Sequence, residues 1–175
     1  GEVELAYRHD KGTVIGITGT NGKTTTTSLT YDIMKRHAKK ALLVGNIEIP
    51  YTGYALESDK DSVTVAEISS FQLETMVTFK PHVTAILNIT PDHLDRHKTL
   101  ENYIAIKESI TKNQDENDFC VLNYNDPVLR EFGKTPRCKV IFFSSSEELE
   151  SGVFLRGDTM IIKENGVETP VCTTK

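Results

Sequence analysis

Gly19-Thr20-Asn21-Gly22-Lys23-Thr24-Thr25 has the composition of a phosphate cradle. Glycines let backbone N–H groups converge on an anion, and a helix that follows adds its positive end. Lys23 would bring a point charge to the β- and γ-phosphates, and Thr24 would bring a hydroxyl to magnesium. The stretch departs from G-x-x-x-x-G-K-[ST], because glycines stand at 16, 19 and 22 and Ile17 takes the first glycine position. The same spacing breaks the G-x-G-x-x-G dinucleotide pattern. The competing reading is a Gly-rich turn with a solvated lysine. The Gly-Lys-Thr ending directly after a β-branched run favours phosphate binding.

Three further groups could do chemistry. Glu67 closes the run Val63-Thr64-Val65-Ala66, at a strand end where ligands of open α/β sheets sit. A carboxylate there could hold magnesium or orient water, or be a loop acid or helix cap. Asp92-His93-Leu94-Asp95-Arg96-His97 is a dense polar cluster after another apolar run. A helix would put His93 and His97 on one face. A zinc pair is conceivable, but H-E-x-x-H is absent and no cysteine is near; the bland reading is a capping Asp and two solvent-facing His. Lys107, near Glu108 and Lys112, reads by itself as a solvated helical lysine. Arg156-Gly157-Asp158 reads as turn chemistry only.

The elements that must carry these groups follow from periodicity. Residues 13–18, 41–44, 62–66, 82–87, 119–122 and 140–143 are short apolar runs, read as strands. Helices are expected over about residues 24–37, with Leu29, Ile33 and Met34 on one side, and over about 99–113 and 127–132. Asp126 is a plausible N-cap for the last, with Pro127 at its first position. Alternation of strands and helices predicts an α/β fold with a mainly parallel sheet flanked by helices. After residue 143 three alternating runs, separated by Gly157-Asp158 and Asn165-Gly166, predict a small antiparallel meander over about 151–173. Residues 1–11 read as an irregular linker or domain edge.

The 175 residues suit one domain, and a net charge of -5 argues against a nucleic-acid binder. No run of about 18 apolar residues is present, so no membrane insertion is expected. Three widely spaced cysteines, Cys120, Cys138 and Cys172, suggest reduced thiols in a cytoplasmic protein. A start at Gly1 suggests a processed or excised piece.

The phosphate loop, Glu67-Ile68-Ser69-Ser70-Phe71-Gln72-Leu73-Glu74 and Asn88-Ile89-Thr90-Pro91-Asp92-His93-Leu94-Asp95-Arg96-His97 together resemble the Mur ligase family, the ATP-dependent amide-forming enzymes of peptidoglycan precursor synthesis. The likeness covers nearly the whole chain. The 67–74 stretch resembles the D-glutamate-adding branch. The resemblance implies that residues 12–175 are the central ATP-binding domain, with residues 1–11 the edge of an N-terminal uridine-nucleotide domain and a C-terminal domain after Lys175. It implies ATP and Mg²⁺, with UDP-N-acetylmuramoyl-L-alanine and D-glutamate as substrates of a cytoplasmic, monomeric enzyme that is inactive as an isolated domain. Carried over by position, Gly19 to Thr25 would hold ATP and Lys23 would contact the transferred phosphate. Thr24 and Glu67 would bind magnesium, and His93 would serve a second metal position. Lys107 would be the carbamylated lysine that ligates metal. Asn46 and Ser69 would face substrate, and Asn123 falls in a family stretch of open role. Glu48 stands where the family has Gly, which weakens the transfer for Asn46. Alternatives are a folylpolyglutamate synthase-like ligase, a stand-alone P-loop kinase or NTPase, a metal hydrolase built on 92–97, and a purely structural fragment.

Overall fold

The computed structural model describes residues 1–47 and 49–174. In chain order the elements are α1 (Glu2–Tyr7), β1 (Thr13–Thr18), α2 (Lys23–His37), β2 (Lys40–Gly45), β3 (Ser62–Glu67), α3 (Ser70–Leu73), β4 (Val83–Ile86), α4 (Leu94–His97), α5 (Leu100–Glu108), β5 (Phe119–Asn123), α6 (Pro127–Phe132), β6 (Lys139–Ser144), β7 (Gly152–Arg156), β8 (Thr159–Glu164) and β9 (Val167–Thr173). Single 3-10 turns add Tyr51–Gly53, Ala55–Glu57 and Ser109–Thr111.

The strands form one sheet in the order β2-β3-β1-β4-β5-β6-β7-β8-β9. β1 pairs in parallel with β3 (Ile17 beside Glu67) and with β4 (Thr18 beside Ile86). The chain leaves β1 toward one side, through β2 and β3, and returns to the other side at β4. That reversal opens a crevice beyond the carboxyl ends of β1 and β4. The Gly-rich loop and residues 87–97 are the connections that emerge there.

Two apolar layers hold the parallel part of the sheet. On one face Ile17, Val65 and Ala85 pack against Tyr31 and Met34 of α2. On the other, Val14, Val44, Ala66, Ile86 and Leu122 pack with Tyr103, Ile110 and Leu129. Leu29 and Ile33, expected on the apolar side of α2, are 60% and 50% exposed. The helix instead seats Thr27, Tyr31 and Met34, because its start at Lys23 fixes its rotation.

Residues 1–11 are not wholly irregular, since Glu2–Tyr7 form α1. α1 buries Val3, Glu4 and Ala6 against the larger layer. The expected antiparallel meander is present as β7-β8-β9. β7 pairs in parallel with β6, setting Phe143 beside Val153, so the antiparallel β7-β8-β9 ribbon extends the same sheet. Its own small core is Leu149, Phe154 and Ile161. The turn at Asn165-Gly166 has positive φ at both residues (52° and 78°), as its sequence predicts. The expected cap of α6 is present: Asp126 accepts from the Val128 and Leu129 amides. The expected helix over 99–113 ends sooner, as α5 passing into a 3-10 turn.

Candidate active site

Gly22 caps α2 with φ 78°, a conformation that costs glycine little and other residues more. This turns the chain so that α2 begins at Lys23. The Lys23 ammonium donates to the carbonyls of Gly19 (3.0 Å) and Thr20 (2.9 Å) and lies across the loop. Asn88, just after β4, ties the loop down. Its carbonyl accepts from the Thr20 amide, its Oδ1 accepts from the Asn21 amide, and its Nδ2 donates to Asn21 O. The Thr20 hydroxyl accepts from the Thr90 amide (3.0 Å) and lies 3.1 Å from the Tyr103 hydroxyl. Thr24 and Thr25 are exposed at the start of α2.

Lys107 reaches the same loop from α5. It is 1% exposed, and Nζ donates to the Gly19 carbonyl at 2.9 Å. Its ammonium also lies over the Tyr103 ring, 4.8 Å from the centroid. Burial pushes its pKa from the ordinary 10.5 to about 7; the Lys23 charge adds to the fall, and Asp92 opposes it. This is a correction of the solvated helical lysine that its neighbours in sequence suggest. Tyr103, Lys107 and Ile110 lie at i, i+4 and i+7 on one buried stripe. That stripe is the signal that could have marked Lys107.

Glu67 is buried at the end of β3. Oε1 accepts from Asn46 Nδ2 at 2.8 Å. Gly45 makes this approach possible: a Cβ there would stand 2.2 Å from the Glu67 carbonyl oxygen. Glu67 Oε2 is buried with no hydrogen-bond partner. An orphaned buried carboxylate oxygen is costly, and a hard divalent cation with oxygen ligands satisfies it. Glu67 therefore fits magnesium by donor type, as does the Thr24 hydroxyl at the start of α2. Among the described residues, no three His, Cys, Asp or Glu side chains gather as a metal site. His97 is buried against Ser70 while His93 is half-exposed, so the two do not share one open face as a zinc pair would. Glu48 lies outside the described residues.

Ser69 caps α3 in a reciprocal box: its hydroxyl accepts from the Gln72 amide, and its amide donates to Gln72 Oε1 (2.9 Å). The S-x-x-Q spacing was a readable sign of this. His93 is half-exposed and sits at φ 50°, in the left-handed region, as the cap of α4. Its neighbour Asp92 accepts from the His93 amide through Oδ1 (2.9 Å). His97 does not share the exposed face of His93 but is buried. Asn123 donates to the Leu87 carbonyl (3.1 Å) and ties β5 to the end of β4.

Lys23, Asn46, Ser69, Ser70, Phe71, Asp92, His93, Tyr103 and Lys107 line one hollow of about 100 Å³. Larger hollows of about 500 and 550 Å³ exist. The first opens beside Gly12 and Thr13, at the amino end of β1, and gathers none of the expected site residues. Six of the expected residues thus meet in one place, with Glu67 one hydrogen bond away through Asn46. Asn88, Tyr103, Ser70 and Phe71 carry this arrangement without having been singled out from sequence.

The chain matches the Mur ligase middle domain over residues 17–174. The UDP-N-acetylmuramoylalanine–D-glutamate ligase of Lachnoclostridium phytofermentans is 54% identical over 172 residues, covering 98% of this chain and 38% of the relative. The enzyme of the same name from Lachnospira eligens is 52% identical over 158 residues, covering 90% of this chain and 35% of the relative. The chain thus spans well under half the length of these curated relatives. The crystal structure of MurF ligase from Thermotoga maritima in complex with ADP shares the fold, with TM-score 0.67 and 23% identity over 95% of this chain and 42% of that one. A loop, a carboxylate and a buried lysine that meet at one sheet crevice, in a chain matched along nearly its whole length, belong to the Mur ligase family, of which this chain is a middle domain.

Proposed function

We propose that this chain is the ATP- and Mg²⁺-binding domain of a ligase that joins D-glutamate to UDP-N-acetylmuramoyl-L-alanine. The carrying observation is the convergence of Lys23 and Lys107 on the one Gly19 carbonyl, at a hollow that His93 also lines and that Glu67 reaches through its bond from Asn46. Lys23 brings a cation to a triphosphate at this loop, and Lys107 stands at the same carbonyl, where its carbamate would face magnesium. In this reading a substrate carboxylate oxygen bonds to the γ-phosphorus and ADP leaves, giving an acyl phosphate. The D-glutamate amine then bonds to the acyl carbon, loses a proton, and phosphate departs. Gly19 to Thr25 hold the triphosphate, and Lys23 offsets charge on the transferred group. Magnesium would be held by Thr24 and Glu67, with His93 and carbamylated Lys107 at a second position, and would supply charge neutralisation. The amine form of Lys107, abundant at a pKa of about 7, bonds to the carbon of CO₂ and releases a proton. Asn46 and Ser69 face the substrate side, although each also has a structural bond of its own.

The uridine-nucleotide and amino-acid sites would lie in segments that the longer relatives carry. The reading includes a cytoplasmic monomer that binds no nucleic acid. Among the described residues no helix is long and apolar enough to cross a membrane.

The test is Lys23→Ala and His93→Ala in the full-length protein. Each is expected to lower ligation by about 10²–10³-fold, with thermal melts like the parent's. Normal turnover by either variant overturns the role given to that residue. Equal turnover with a folate acceptor and L-glutamate would replace the substrate assignment.

A further inference from the structure

We propose that His97 is a positioning residue that holds His93 and the Lys107 wall of the pocket in register; this rests on the role given to His93 above. α4 has only four residues, too few to be stable alone. Residues with positive φ bracket it, His93 at 50° and Lys98 at 71°. Such conformations persist where the surroundings over-determine them. Within α4 the one buried residue is His97, which is 4% exposed. Its side chain therefore anchors the turn that presents His93.

The anchor is specific at every edge of the ring. Nε2 lies 3.0 Å from the buried Ser70 hydroxyl, the first residue of α3. Nδ1 lies 3.2 Å from Glu74 Oε1, within ion-pair range but off the line of a directed hydrogen bond. Glu74 is itself gripped by the Arg96 guanidinium (2.6 Å). A carboxylate on the Nδ1 side favours the Nδ1–H tautomer, leaving Nε2 to accept from Ser70. The ring faces are used as well. One contact stacks on Phe71 (5.5 Å, 20°), and Phe71 in turn leans on His93 (4.9 Å). Another meets Tyr103 (5.3 Å), which bonds Thr20 of the phosphate loop and lies beneath the Lys107 ammonium. One imidazole thus supports the His93 side through Phe71 and the Lys107 side through Tyr103, while Ser70 ties it to the chain that follows Glu67.

The experiment compares His97→Ala, His97→Phe and His93→Ala in the full-length protein, reading kcat, KM for ATP and the ¹H–¹⁵N imidazole signals of His93. His97→Ala is expected to lower kcat by about 10²-fold, the scale of a small misplacement, with KM for ATP within about twofold, and to move the His93 signals. His97→Phe keeps the two ring contacts, with Phe71 and Tyr103, and loses the Ser70 bond. It is expected to recover kcat to within about fivefold of the parent while melting lower, since Ser70 is left buried without its partner. A His97→Ala protein with parental kcat, or with unmoved His93 signals, overturns the proposal. So does a loss of kcat that Phe does not recover. If His93→Ala itself turns over normally, it is the reading of His93 that fails, and this outcome is separate from the other two.

Discussion

Lys107 shows how one residue can be misread from its sequence neighbours and recovered from its stripe. Glu108 and Lys112 mark the helix as solvated, yet the i, i+4, i+7 set with Tyr103 and Ile110 carries the lysine inward. Burial and the Lys23 charge then bring its pKa to about 7. Between that value and the ordinary 10.5, the unfolded chain binds more protons than the folded one. Stability of the chain should therefore rise with pH across that window. Lys107→Met should flatten the rise and add about 1–3 kcal/mol at neutral pH, the cost of a buried polar group removed. Urea melts at two pH values test both; an unchanged slope in the Met variant means the lysine keeps its ordinary proton affinity. Chemistry follows from the same shift. With ¹³CO₂, the carbamate carbon signal should reach half its maximum near pH 7 and be absent from Lys107→Ala. In the full-length protein the Ala variant should regain part of its turnover with added short carboxylates. Full turnover with no additive would make Lys107 structural only.

At the scale of elements, the segment that looked least structured proves to be fastened most directly. α1 is short, but its Glu4 carboxylate accepts from the Val77 amide (3.0 Å), the Thr78 amide (3.0 Å), the Phe79 amide (3.2 Å) and the Thr78 hydroxyl (2.6 Å). Burial alone would raise its pKa; the bonds from Thr78, Val77 and Arg8 overcome this and hold it at about 2. Because the folded value lies below the ordinary 4.5, this stabilisation is full above about pH 4.5 and is lost as pH falls toward 2. Glu4→Ala should cost about 2–4 kcal/mol at pH 7, since three amides lose a charged acceptor, and should do less at pH 3. Equal losses at both pH values would mean that α1 is held by Val3 and Ala6 alone. None of this was legible in Glu2 to Tyr7, because the partners lie more than seventy residues away. The parallel strands, α2 and the cap of α6 were legible, because their signals are local: β-branched runs, the Gly-Lys-Thr ending and Asp126-Pro127. Of the site, the loop, Glu67 and the 92–97 cluster could be read as motifs. Asn88 and Tyr103 could not, since what they do is tie the loop to other elements. The rotation of α2 was misread for a related reason, as Leu29 and Ile33 look like a core stripe until the loop fixes where the helix begins.

Across the whole molecule, the sheet is continuous but its support is not. From β2 to β5 helices cover it and two apolar layers hold it, and the crevice residues all project from this part. The β7-β8-β9 ribbon has two buried apolar residues, Phe154 and Ile161, which pack with Leu149 just before it, and β9 is exposed along its length. Such regions open at lower free energy than a two-sided core. Native-state hydrogen exchange should therefore separate the molecule into two units: slow amides in β1, β3 and β4, and fast amides in β8 and β9. A non-hydrolysable ATP analogue with Mg²⁺ would add protection only where binding is linked to opening. Added protection is expected at residues 19–25 and 87–97, through Asn88 and the Thr20–Thr90 pair, and none is expected in β8 or β9. Lys23→Ala should abolish the added protection while leaving the two-unit pattern intact. Uniform exchange across all nine strands would show a single cooperative sheet. Protection of β8 and β9 by the nucleotide would mean that the ribbon communicates with the crevice through β6, the strand that joins the two parts. No response anywhere in this chain, with exchange otherwise as expected, would place the remaining nucleotide contacts in the segments that its longer relatives possess.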